Sequence, residues 1–179
     1  TLNPSTYDLL AAIHAVPAEE VVVLPNSANV QMAAERAAEL SDKQVRVLPS
    51  RSQQAGLSAA LSLDPRRGAQ ENATLLQDAL ALVRTGSVAE AARDDGDGRF
   101  AAGDAVGFVE EELVAWGEPR ATLHDVLAQL AENAELVTCL RGAGAPLDDQ
   151  TVHALVSGDI ELELSDGGQP SYWWLLSAE

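Results

Sequence analysis

Residues 23–40 read VLPNSANVQMAAERAAEL: an apolar run that breaks at Pro25, a corner holding Asn26, Ser27 and Asn29, and an alanine-rich segment with helical periodicity. Val21, Val22, Val23 and Leu24 make the short continuous apolar stretch of a strand covered on both faces. After the corner, Val30, Ala33, Ala34, Ala37 and Ala38 fall on one stripe, and side chains that small let a helix lie close to a sheet. The pattern returns at residues 45–61, VRVLPSRSQQAGLSAAL, as strand, Leu-Pro, a polar corner with Ser50, Arg51 and Ser52, and helix. Strands alternating with helices at this spacing predict parallel pairing through right-handed crossovers, and hence an α/β fold.

Both corners stand at the carboxyl end of a strand, where an open α/β sheet collects ligands, and a polar turn before a helix N-terminus often holds an anion. Arg51 adds a positive charge to one of them. The structural alternative is that Asn29 and Ser52 are helix caps, contributing about 0.5 to 2 kcal/mol each and nothing more. The spacing alone leaves both readings open.

In residues 3–16, NPSTYDLLAAIHAV, either Asn3 caps a helix with Pro4 at its first position or Ser5 caps with Asp8 answering three residues later. A later helix carries Leu75, Leu76, Ala79, Leu80 and Val83, ends near Gly86, and precedes a short strand at SVAEAARD. Periodicity lapses in DDGDGRFAAGDA, residues 94–105. The expected organisation is therefore an N-terminal α/β lobe over residues 1–95 with a mainly parallel sheet, a linker over 96–103, and a C-terminal α/β lobe over 104–179. Asp95 and Asp97 have the spacing of a calcium loop, but the third acidic ligand, the correctly placed glycine and the closing Glu are missing, so the segment reads as a turn. The second lobe offers a hairpin at 105–117, a helix capped by Thr122 with Asp125, strands at 136–140, 160–164 and 172–177, and a short helix at 149–156. Hairpins combined with crossovers predict a mixed sheet. In the tail GGQPSYWWLLSAE, alternation sets Trp173 on the face opposite Tyr172 and Trp174; one face is core, and an exposed member would anchor a protein partner.

Charge and missing motifs narrow the function. With 11 basic against 28 acidic residues the formal charge is -17, which repels nucleic acid and anionic lipid. No apolar run reaches the roughly 20 residues of a spanning helix, and the expected setting is the cytoplasm. Cys139 is the one cysteine and reads as a buried strand thiol. His14, His124 and His153 lie on three different helices with no ligand set around any of them. The chain contains no glycine-rich nucleotide cradle and no G-x-S-x-G elbow. A start without Met, running almost at once into a helix, reads as a piece of a longer polypeptide that is not catalytic by itself.

Several segments together, NPST at the start, the LPNSAN corner, RDDGDGRFAAGD at residues 93–104, ELVTCLRGAGA and the GGQPSY tail, resemble the C-terminal region of the bacterial fatty acid kinase catalytic subunit. That family is also described as DAK2 domain-containing, or dihydroxyacetone kinase-like. The resemblance implies a two-lobed DegV-like fold that docks a separate DegV-type fatty-acid-binding protein, so that the acyl carboxylate is phosphorylated elsewhere on the parent chain. It implies no cofactor in this region, with ATP and magnesium on an N-terminal domain, and it leaves homodimerisation through the parent chain open. Asn26, Ser27, Asn29, Ser50, Arg51, Ser52, Arg93, Gln169 and Tyr172 are the implied partner- or ligand-binding residues. The alternative is a domain that holds an acyl chain or small anion itself. One departure from the family is the hairpin turn at Glu110 to Glu112, where Asp-Gly or Asn-Gly is usual.

Overall fold

In the computed structural model, which describes residues 3–156 and 160–179, the first helix, α1 (Thr6–Ala15), starts from a capping box. The Ser5 hydroxyl accepts from the Asp8 N–H at 3.2 Å, and the Asp8 carboxylate accepts from the Ser5 N–H at 2.9 Å. Ser5, not Asn3, is the cap. Then come β1 (Glu20–Val23), α2 (Gln31–Leu40), β2 (Gln44–Val47), α3 (Gln53–Ala60) and α4 (Ala69–Leu82). β1 and β2 pair in parallel, with Glu20 opposite Gln44 and Val23 opposite Val47, as the repeated strand–corner–helix pattern predicts. Both faces of β1 are covered: Val22 packs with Leu48, Ala59, Ala73 and Leu76, while Val21 and Val23 pack with Ile13 and Ala37.

The end of α1 is closed from a distance. Lys43, the chain's one lysine, donates its Nζ to the carbonyls of Ile13, His14 and Val16 at 3.1, 3.2 and 2.5 Å. A helix leaves its last carbonyls without partners, and a cation there also meets the negative end of the helix dipole.

The chain passes from α4 through Val83 directly into β3 (Arg84–Glu90), and from there builds β4 (Ala105–Val109), β5 (Glu112–Gly117), α5 (Pro119–Leu130), β6 (Leu136–Arg141), α6 (Asp149–His153), β7 (Glu161–Asp166) and β8 (Trp174–Ala178). These strands form one sheet in the order β5-β4-β3-β8-β6-β7. β6 and β7 are parallel and all other neighbours antiparallel, which is the expected mixed sheet. The two compact units are Thr1–Val83 and Arg84–Glu179. This corrects the expected lobes at 1–95 and 104–179 and the linker at 96–103. β3 hydrogen-bonds to β4 and β8, so the strand assigned to the first lobe belongs to the second unit, and residues 91–104 join two antiparallel neighbours.

Two further corrections are local. α5 is capped by the Glu118 carboxylate, with Pro119 in its first turn, whereas Thr122 is a buried residue inside the helix. Its position there suits a close approach: a Cβ at Gly107 would stand 2.5 Å from Val126 Cγ2 and 2.9 Å from Thr122 Cγ2, so β4 receives the helix only because glycine is present. The β4–β5 turn is made by Glu110 and Glu111, at φ 49° and 72°, a geometry in which Asn-Gly is the usual pair.

Replacing Lys43 by Met keeps the aliphatic stem and removes the charge-assisted bonds, so the first unit should lose about 1 to 2 kcal/mol of stability. Urea unfolding measures it. An unchanged midpoint would mean that water satisfies those carbonyls equally well.

Candidate functional site

At the carboxyl end of β1, Asn26 adopts the left-handed conformation, φ 56°, which Asn tolerates better than most residues. That turn directs its backbone N–H to the Ser50 hydroxyl at 2.9 Å, tying the exit of β1 to the exit of β2. Ser50 is only 1% exposed. The Asn26 amide lies against the first turn of α3: a Cβ at Gly56 would be 1.8 Å from Asn26 Oδ1 and 2.8 Å from Nδ2. Oδ1 is buried and has no hydrogen-bond partner among the described residues. Ser52 caps α3 by accepting from the Ala55 N–H at 3.2 Å, as expected of one of the two structural caps.

The other expected cap is not one. Ser27 accepts the Val30 N–H at 3.1 Å through its carbonyl, and the resulting turn delays the start of α2, whose N-cap is Val30 without a side-chain bond. Asn29 is left exposed in that turn, and Arg51 is exposed beside Ser50. Asn26, Ser50 and Ser52 are thus gathered around the start of α3, and Asn29 stands apart from them.

In the second unit, Arg93, Gln169 and Tyr172 collect at one end of the sheet. Register places Trp174 between Val88 and Arg141, so the segments leaving β3 and β6 and the one entering β8 share that end. The Gln169 side-chain amide donates to the Leu140 carbonyl at 2.8 Å, and the Gln169 backbone carbonyl accepts from the Ala143 N–H at 2.9 Å. Gln169 is therefore engaged in holding the tail. Gly142 makes this possible, since a Cβ there would be 1.8 Å from the Tyr172 carbonyl oxygen. Tyr172 and Trp173 are half-buried and Trp174 is fully buried, with the two indoles edge to face at 6.1 Å. None of the three tail aromatics is exposed; the exposed aromatic of this unit is Trp116, 43% accessible, with the Arg99 guanidinium 5.8 Å from its ring centre.

Arg99 also leads to groups that spacing did not single out. Its Nε and Nη2 bond both oxygens of Asp95 at 2.9 Å, and this contact, helped by the backbone N–H groups of Arg99 and Asp97, holds the Asp95 carboxyl at about 2. Arg141 bridges Asp149 and Asp166. Burial pushes the Cys139 thiol up to about 12, which makes it an inert core group, as its place in a strand predicts.

Two outcomes are expected. Gly56→Ala should cost about 1 to 3 kcal/mol by driving a methyl into the Asn26 amide, and the cost should shrink in an Asn26→Gly background, which keeps the left-handed turn and removes the obstruction; a double-mutant cycle by chemical denaturation reads the coupling. The Asp95 value lies below the ordinary 3.8, so its contact with Arg99 contributes stability that is complete above 3.8 and is lost as pH falls through about 2. Carbon-detected NMR titration should place the Asp95 midpoint near 2, and Asp95→Asn should flatten that part of the acid profile; an ordinary midpoint would remove the ion pair from solution.

A sequence model of the family of FakA-like C-terminal regions, those similar to the C-terminal part of the A subunit of fatty acid kinase, matches residues 1–179. Protein YloV of Bacillus subtilis is 34% identical over 187 residues, an alignment covering 100% of this chain and 34% of that protein, so the chain spans about a third of the relative's length. Among solved structures, a DegV family protein from Corynebacterium glutamicum superposes with a TM-score of 0.67 at 17% identity, covering 98% of this chain and 83% of that one. The Streptococcus pneumoniae fatty acid kinase B3 protein loaded with linoleic acid gives a TM-score of 0.67 at 12% identity, covering 98% and 76%. Identities this low speak for fold, and the fold is DegV-like. With a family match from end to end, this chain belongs to the FakA-like C-terminal family of fatty acid kinases.

Proposed function

We propose that this chain is the docking region of a fatty acid kinase. It receives a DegV-type fatty-acid-binding protein so that the acyl carboxylate is phosphorylated by ATP and magnesium held on another part of the full-length protein, in the cytoplasm. The reading is supported by the family match, and one structural observation favours docking over ligand capture in the first unit. The corner where such a fold would hold a ligand is filled from within: Asn26 binds Ser50 and packs on Gly56, and Ser52 caps α3. The one atom there without a partner, Asn26 Oδ1, is an acceptor, the wrong polarity for a carboxylate. This weighs against the alternative of an acyl or small-anion site at that corner.

The charge of -17 calls for a partner with a basic face, and attraction between extended charged surfaces is screened by salt. Calorimetry of this chain against a fatty-acid-loaded DegV-type protein should show affinity falling by about tenfold between low salt and ~0.5 M. Asn29→Ala, at an exposed turn position, should weaken it further. No heat of binding at any ionic strength would overturn the reading.

A further inference from the structure

Residues 91–104, between β3 and β4, form a loop braced almost wholly by its own aspartates. The Ala91 N–H donates to the Asp104 carbonyl at 2.8 Å and the Gly103 N–H to the Ala91 carbonyl at 2.9 Å, closing its base; the Asp95 N–H donates to the Phe100 carbonyl at 2.9 Å, closing its tip. The Asp94 carboxylate accepts from the Ala102 N–H at 2.9 Å, that of Asp104 from the Ala101 N–H at 2.8 Å, and Asp95 takes the backbone N–H groups of Asp97 and Arg99 as well as the Arg99 side chain. Asp97 lies 3.9 Å from Arg99. Every carboxylate of the loop is therefore engaged, and one of its two guanidinium groups is neutralised.

The other is not. Arg93 is exposed and makes no hydrogen bond or ion pair among the described residues, although Asp94 and Asp95 follow it directly in the chain. It borders a cleft of about 450 Å³ lined by Arg93, Asp94, Asp95, Gly96 and Phe100, in which Phe100 supplies the apolar surface. A cation left unanswered in a chain of charge -17, on a loop held by so many internal bonds, is positioned for an anion from outside.

We infer that this cleft binds a small organic monocarboxylate, its carboxylate on the fork of Arg93 and its apolar part against Phe100. The planar guanidinium matches a carboxylate with two parallel hydrogen bonds. Asp94 and Asp95 in the same lining restrict the ligand to a single negative charge, because a dianion would face two like charges for one opposite one. The inference needs no partner protein and stands apart from the docking reading.

The experiment is an NMR titration of the whole chain with acetate, octanoate and inorganic phosphate, following the backbone amides and the Arg93 side-chain Nε–H. Octanoate should perturb residues 93–100 and bind more tightly than acetate by about tenfold or more, from the apolar area it covers. Phosphate should bind more weakly than octanoate. Arg93→Gln should lower octanoate affinity by about tenfold or more, with thermal unfolding unchanged because no internal bond is lost, and Arg93→Lys, which keeps the charge without the fork, should fall between. The inference is overturned if octanoate leaves residues 93–100 unperturbed at millimolar concentration, if phosphate binds more tightly than octanoate, or if Arg93→Gln binds octanoate as the parent chain does.

Discussion

The second unit depends on a strand that comes last in the chain. β8 lies between β3 and β6, antiparallel to both, and all five of its residues are buried, with Trp174 wholly inaccessible. β3 and β6 have no direct ladder with each other; without β8 the β3–β4–β5 meander and the β6–β7 pair are two separate pieces, each with an open edge. The same strand determines which loops meet. Because the Trp173 N–H donates to the Val88 carbonyl and its own carbonyl accepts from the Gly142 N–H, the tail, the β3–β4 loop and the turn after β6 are held at one end of the sheet.

Polar groups divide the molecule into places that are finished and places that are not. The LPNSAN and LPSRS corners look like ligand sites by position, yet most of their hydrogen-bonding capacity is turned inward, to Ser50, to Ala55 and to the turn before α2. Gln169, which invites a recognition role, holds the tail to the end of β6. What is offered to solvent is different in kind: Asn29, Arg93 and the indole of Trp116. A chain organised in this way presents discrete contact points on a rigid support, which is what a docking region requires.

Much of the first unit is legible in the sequence because its signals are local and repeated. Two Leu-Pro corners after apolar strands imply parallel pairing, the small-residue stripe of α2 implies burial, and Ser52 announces a cap; all three are present. Asn29 misleads because a left-handed residue three positions earlier and the intervening turn move the helix start, and no propensity records that. The unit boundary is hidden for a comparable reason. Glycine and aspartate mark a turn, but a turn between hydrogen-bonded strands has the same composition as one between domains, and only the pairing of β3 with β4 and β8 distinguishes them. Trp116 has no face that alternation can assign, since the β4–β5 register shifts between Gly107 and Phe108 and a slip of one residue exchanges inside and outside.

Lys43 has a chemical consequence beyond helix closure. It is the only side-chain amine in these residues, and its nitrogen is held by three carbonyls at once. Reactive acyl donors modify lysines through the free, deprotonated amine, and an ammonium stabilised by carbonyl oxygens is withdrawn from that reaction. A surface working beside activated acyl groups, with arginine supplying all its other permanent positive charge, is thereby protected from adventitious acylation, and amine-directed labels or crosslinkers will find almost nothing on it to capture.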